Sequence, residues 1–299
     1  MKKLIGFLFI GFLFISVGCR KRLDSFLFNG EKVEAYLLDN YSDGELSDLP
    51  NSYFVPKEDI HQFKYKIIDN GEELNIAAIY VGKESQLSQD TIILYCHGNA
   101  KHMDNYWNRQ KLLRYAGGNG RYGVLMFDYP GYGMSDGKPT EENMYEAANG
   151  ALKWLKNKGV TNDRLVIYGY SLGSAPATRI ASNSTFALQP SKLILEAPFA
   201  SSEVMVQDAS LVNMPASYFV DVEIDNAEQI KQCVVPLLWI HGINDDFLSI
   251  ESHGRLVYNN HYNSWKRKIE VLGAGHSDVP TFIGYEQYAN KIHEFIKQD

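Results

Sequence analysis

Four short segments of this 299-residue chain carry residue types that together can perform acyl transfer. The first is Gly169-Tyr170-Ser171-Leu172-Gly173, preceded by the apolar run Leu165-Val166-Ile167-Tyr168 and followed by small residues. A strand that turns sharply into a helix at this point lifts the Ser171 hydroxyl clear of a sheet, and glycines on either side give the turn room. A serine hydroxyl becomes a nucleophile only when a base takes its proton and a carboxylate orients that base. Gly273-Ala274-Gly275-His276, behind a strand candidate, supplies the base; His241-Gly242-Ile243-Asn244-Asp245-Asp246, behind another, supplies an acid. The fourth segment, His97-Gly98-Asn99-Ala100, follows the strand candidate Thr91 to Cys96. Its turn presents the backbone N–H of Asn99 which, with that of Leu172, forms a pair of donors for a tetrahedral oxyanion. His97 is read as a residue that holds this turn.

These segments reach one another only if they sit at the carboxyl ends of neighbouring strands. Strand patterns fall at Gln62 to Ile68, Leu74 to Val81, Thr91 to Cys96, Gly123 to Phe127, Arg164 to Tyr168, Lys192 to Leu195, Val234 to Ile240 and Lys268 to Leu272. Helical patterns fall at Met103 to Ala116, Glu141 to Lys158, Leu172 to Ser182, Ile250 to Asn259 and Ile283 to Lys297, with Thr140 as a cap and Gly159 as a stop for the second. From Thr91 onward the strands are short continuous apolar runs, as in strands covered on both faces. The alternation predicts an α/β protein with a mostly parallel, doubly wound sheet of eight strands, the first two forming an antiparallel entry hairpin.

Taken together, His97-Gly98-Asn99-Ala100, Phe127-Asp128-Tyr129-Pro130-Gly131-Tyr132-Gly133-Met134-Ser135, Gly169-Tyr170-Ser171-Leu172-Gly173, His241-Gly242-Ile243-Asn244-Asp245 and Gly275-His276 resemble the α/β-hydrolase superfamily. The likeness spans about residues 62 to 297. It is closest to the compact serine hydrolase branch that includes protein depalmitoylases and bacterial relatives, some of them lipoproteins. The resemblance implies an α/β-hydrolase fold with a small lid near residues 198–230 and a Ser171–His276–Asp245 triad, Asp246 being the alternative acid. The substrate expected is a carboxylic ester or thioester. A serine peptidase acting on short peptides is the alternative, and a non-catalytic, membrane-tethered binding protein the reading from another class. Asp128 is expected to cap or hold its loop. Lid residues Phe199, Met205, Leu211, Val212, Met214, Tyr218 and Phe219 suit an apolar group equally as pocket wall or as sheet packing.

Composition narrows the partners. A net charge of -7, without a basic run beyond the N-terminus, argues against nucleic acid. No spacing of His and Cys suits a metal, no phosphate loop or dinucleotide fingerprint follows the first parallel strand, and no cofactor is implied. His61, His102, His253, His261 and His293 are read as surface residues, Cys96 and Cys233 as buried small hydrophobes. No charged specificity pocket is evident. Met1-Lys2-Lys3, the apolar run Leu4 to Val17 and Gly18-Cys19 resemble a bacterial lipoprotein signal. On this reading residues 1–19 are a leader, Cys19 is lipidated, residues 20–60 are a lead-in, residues 61–299 are the hydrolase domain, and the protein is a membrane-anchored lipoprotein of the cell envelope. The alternative is an uncleaved anchor with the domain on the cytoplasmic side.

Overall fold

The computed structural model describes residues 27–118, 120–209 and 222–298. Eight strands form its main sheet: β1 (Ile60–Asp69), β2 (Glu72–Val81), β3 (Ile92–Cys96), β4 (Gly123–Phe127), β5 (Leu165–Tyr170), β6 (Lys192–Glu196), β7 (Leu237–Gly242) and β8 (Lys266–Val271). Their order is β8-β7-β6-β5-β3-β4-β2-β1. β3 to β8 run parallel, β2 is antiparallel to β4, and β1 and β2 pair antiparallel from Ile60↔Val81 to Asp69↔Glu72. Asn70 and Gly71 close this hairpin with positive φ at both positions (50° and 84°), the requirement of a tight turn whose twist matches its strands.

The continuous apolar runs behave as strands covered on both sides. Every residue of β3, β4, β5 and β7 is buried. On one face pack α2 (Glu141–Asn157), α3 (Ser174–Ser182) and α6 (Arg255–Asn260), placing Leu152, Leu155, Ile180 and Val257 against Leu94, Leu125 and Ile167. On the other, α1 (Trp107–Arg114) and α8 (Tyr285–Lys297) bring Leu112, Leu113, Ile292 and Phe295 against Ile93, Val124 and Val166. α2 begins where Thr140 Oγ1 accepts from Asn143 N (3.1 Å) and Asn143 Oδ1 accepts from Thr140 N (2.9 Å). Gly159, at φ 87°, turns the chain away at its end.

Three helical segments differ from the sequence pattern. Met103–Tyr106 is a 3₁₀ turn before α1, and Ile250–Gly254 is a π turn before α6. The last segment, α8, starts only at Tyr285, after Gly284, whose φ of 88° no helix accommodates, and a short α7 (Val279–Ile283) that the pattern did not predict precedes it. In the segment expected to form a lid, α4 (Ser202–Ala209) and α5 (Asn226–Gln229) flank residues outside the described set, Leu211, Val212, Met214, Tyr218 and Phe219 among them.

The lead-in is fastened to the domain by polar contacts. Asn29–Gly30 forms a two-residue parallel ladder with Ala100–Lys101. The amides of Leu37 and Leu38 donate to the two carboxylate oxygens of Asp104 (both 2.8 Å), and the Trp107 indole donates to Asp39 (2.8 Å). Leu46 and Val55 sink into the core. Cys96 and Cys233 are buried free thiols; Cys19 lies outside the described residues.

Candidate active site

β5 delivers its last residue, Tyr170, directly into a 3₁₀ turn of Ser171–Gly173 that leads into α3. Ser171 sits at φ 52°, a left-handed conformation that a side chain enters only when its surroundings enforce it. The surroundings are backbone. A Cβ on Gly173 would stand 1.9 Å from Cys96 O, and one on Gly169 would stand 2.6 Å from both Ala177 Cβ and Gly173 O. The glycines thus let helix, nucleophile turn and β3 pack at van der Waals distance.

Ser171 Oγ lies 2.9 Å from His276 Nε2, and His276 Nδ1 lies 2.8 Å from Asp245 Oδ2. His276 is carried by the loop after β8, pinned where Gly275 N donates to Asp278 Oδ1 (2.7 Å); its ring is flanked by Tyr170 and Phe247. Asp245 is buried and its second oxygen accepts from the amides of Phe247 (3.0 Å) and Leu248 (2.8 Å). Burial alone would raise its pKa, but hydrogen bonds from His241 and His276 prevail and hold the carboxyl well below the ordinary range. Asp246 is exposed and takes no part in this relay.

Sequence reasoning gave no role to His241, the penultimate residue of β7. Its Nε2 lies 2.9 Å from Leu248 O and 3.2 Å from Asp245 Oδ2, so two imidazoles share one carboxylate oxygen. Gly254 makes room for it: a Cβ there would stand 2.2 Å from His241 Nδ1.

The His97 turn is fixed as its residue types suggested. The ring nitrogens lie 2.8 Å from Gly98 O and 3.1 Å from Asp128 Oδ1, and the ring stacks on Tyr106. Asp128 is fully buried and also accepts from Tyr36 Oη (2.5 Å), so it holds this loop to the lead-in. Asn99 Oδ1 accepts from Asn29 N (2.6 Å) and Tyr132 Oη (3.0 Å), which fixes the peptide that carries the Asn99 amide. Asn99 and Leu172 both border the space beside Ser171.

Two clefts meet at Ser171. One, of about 330 Å³, is bordered by Asn29, Glu45, Tyr106, Tyr170 and His276. The other is narrow and apolar, bordered by Leu27, Leu172, Phe199, Met205 and Leu248. Phe247 and Asn99 are common to both. Phe199 and Met205 therefore serve as wall, as the apolar lid segment allowed. Glu45 corrects the expectation that no charged group enters the pocket: it arrives from the lead-in, where nothing in the local sequence marks it.

The histidines also depart from expectation. His102, His253 and His261 are buried, the last two because each finds a distant backbone partner that replaces water. His253 Nδ1 accepts from Ala200 N (3.1 Å), His261 Nε2 donates to Val235 O (2.9 Å), and His102 packs edge-on against Tyr41. His61 and His293 are half-buried. Among the described residues no three His, Cys, Asp or Glu side chains converge to hold a metal ion, and no helix is long and apolar enough to cross a membrane.

Residues 91–214 match a family model described as the alpha/beta hydrolase fold. Alpha/beta hydrolase domain-containing protein 17B of Homo sapiens is 30% identical over 213 residues, covering 69% of this chain and 66% of that protein. Alpha/beta hydrolase domain-containing protein aho-3 of Caenorhabditis elegans is 29% identical over 208 residues, 69% of this chain and 58% of its own. The match thus spans less than two thirds of these relatives. Among solved structures, a Pyrococcus furiosus esterase superposes with a TM-score of 0.64 at 17% identity, over 90% of this chain and 98% of its own. A Bacillus anthracis bromoperoxidase superposes with a TM-score of 0.58 at 17% identity, over 80% and 100%. Likeness at that identity speaks for the fold alone.

Proposed function

The chain belongs to the α/β-hydrolase superfamily, and from that premise we propose that it is a serine hydrolase cleaving carboxylic esters or thioesters. The observation that carries the reading is the relay from Ser171 Oγ to His276 (2.9 Å) to Asp245 (2.8 Å), built on a nucleophile at φ 52°. The same strain weighs against a scaffold that has lost turnover, since a positive-φ serine has no packing advantage there.

In this scheme His276 Nε2 takes the Ser171 proton as Oγ bonds to the substrate carbonyl carbon. The carbonyl oxygen becomes an oxyanion received by the amides of Asn99 and Leu172, each donor worth about 10²–10³ in rate. Collapse breaks the bond to the leaving oxygen or sulfur, to which His276 returns the proton. Water then gives a proton to His276, its oxygen adds to the acyl carbon, and Ser171 leaves with that proton as the acid departs. Asp245 holds the Nδ1–H and stabilises the imidazolium throughout.

The reading extends to location. A lipid on Cys19 would lie eight residues before Leu27, which borders the apolar cleft. Eight extended residues reach about 28 Å at most, so the tether would keep the cleft close to a bilayer. The mass of the mature N-terminus reports this directly. For the chemistry, Ser171→Ala is expected to abolish fluorophosphonate labelling and hydrolysis of p-nitrophenyl butyrate, and undiminished turnover in that variant overturns the assignment.

A further inference from the structure

The two clefts at Ser171 are chemically unlike, and His276 borders only the larger one. The leaving atom must lie where His276 Nε2 can protonate it. The larger cleft is therefore the leaving-group side, and the narrow cleft between Leu172, Phe199 and Met205 is the acyl side. Resting on the serine hydrolase reading, we propose that Glu45 makes the leaving-group side an anionic subsite, selecting esters or thioesters whose alcohol or thiol carries a positive charge.

The charge follows from the residues around Glu45. Its carboxylate bonds Arg109 Nε at 2.6 Å, and Arg109 Nη1 bonds Glu196 at 3.0 Å. Two carboxylates thus share one guanidinium, leaving a net charge of about -1 on the trio at neutral pH. Glu196 is fully buried and also accepts from the hydroxyls of Tyr168 and Tyr288. Glu45 retains 19% side-chain exposure and borders the cleft, so it is there that the excess negative charge meets a ligand. No lysine or arginine is among the described residues bordering this cleft. Tyr106, Tyr170 and Phe247 supply aromatic walls, and a cation gains from aromatic surroundings as well as from a carboxylate.

Glu45 stands in the lead-in, ahead of residues 91–214 that match the family model. The test compares two thioesters of equal shape, butyrylthiocholine and S-(3,3-dimethylbutyl) thiobutyrate, which differ in one charge on the leaving group. Wild-type kcat/KM is expected to favour the cationic substrate by about threefold to thirtyfold, the range for a quaternary ammonium, which has no N–H to donate, at an aromatic-walled site. Glu45→Gln brings that ratio near one, while the charge-retaining Glu45→Asp keeps most of it. A wild-type ratio near one overturns the subsite and leaves the serine hydrolase reading standing. The same holds if Glu45→Gln slows both substrates equally, which would make Glu45 a strut for Arg109. Absence of both hydrolysis and fluorophosphonate labelling sinks the two readings together. Should Glu45→Gln not fold, the salt dependence of the wild-type ratio replaces it: a ratio that falls as ionic strength rises supports the anionic subsite, and one that does not change overturns it.

Discussion

Replacing Asp245 by asparagine exchanges one oxygen for an NH₂ group and, by the geometry of its surroundings, inverts the proton on His276. Four donors converge on this carboxylate: the Phe247 and Leu248 amides on Oδ1, the His276 and His241 imidazoles on Oδ2. An amide has one oxygen to offer. If it faces the two backbone amides, its NH₂ faces His276 Nδ1, which must then present a lone pair. The ring proton moves to Nε2 and points at Ser171 Oγ, and the base is gone. The flipped amide would keep the tautomer but leave both backbone N–H groups without their acceptor, the buried one of Leu248 at about 1–3 kcal/mol. The first arrangement prevails, and a tautomer inversion of this kind lowers kcat by about 10⁴, or about 5.5 kcal/mol. Steady-state hydrolysis of p-nitrophenyl butyrate measures the loss, and a melting curve shows that the variant is folded. Asp246→Asn, at an exposed position outside the relay, is the control and should stay within about twofold. A folded Asp245→Asn within tenfold of wild type, or an Asp246→Asn that matches its loss, would refute the assignment.

Two further outcomes test the packing behind the site. Gly173→Ala forces a Cβ to 1.9 Å from Cys96 O and 2.7 Å from His97 O, atoms of backbone that cannot swing aside. A loss of about 3 kcal/mol or more is expected in denaturant unfolding, or no soluble protein. Gly71→Ala, at positive φ with nothing within 4 Å, should lose only about 1 kcal/mol, and equal losses would show that the Gly173 contact does not govern. His261 gives a pH signature: burial lowers its pKa, so the folded protein keeps it neutral while the unfolded chain protonates near pH ~6.5. Stability from this residue is therefore present above that pH and lost as pH falls below it. His261→Gln, which keeps a donor for Val235 O, should lessen the fall in melting temperature between pH 7 and 5.5, the buried His253 and the half-buried His293 still contributing; parallel wild-type and variant curves would exclude the effect.

The parts of this molecule that were legible in the sequence are those whose cause is local. An apolar run such as Ile92–Cys96 announces a covered strand by itself, and all eight runs became strands of one sheet. Thr140 and Gly159 mark the ends of α2 through their own backbone requirements. Gly169 and Gly173 similarly mark a turn that only unbranched backbone can close. Helix interruptions were harder: the pattern from Ile283 ran across Gly284, and the π turn at Ile250–Gly254 answers to packing, where Gly254 must admit His241. Burial of His253 and His261 was not legible, because their partners Ala200 and Val235 lie 53 and 26 positions away.

The same distinction explains why the chemistry was easier to read than the pocket. A nucleophile, base and acid must stand at strand ends, and strand ends are written in the pattern of the chain. A pocket wall needs only to arrive, from anywhere. Glu45 travels 64 positions to meet Arg109, and Leu27 and Asn29 reach the edges of the two clefts from a segment whose regular structure is a two-residue strand and short 3₁₀ turns. What holds that segment is a set of polar locks, Asp104 on Leu37 and Leu38, Asp39 on Trp107, Asp128 on Tyr36 and Glu45 on Arg109. Arg109 also donates to Ser277 O at 2.6 Å and lies 4.0 Å from the Tyr170 ring, so one guanidinium touches the neighbours of His276 and of Ser171. The lead-in is therefore coupled to the reacting residues through the same side chain that sets its charge in the cleft. A change in the lead-in should alter which substrate is chosen before it alters whether the serine reacts.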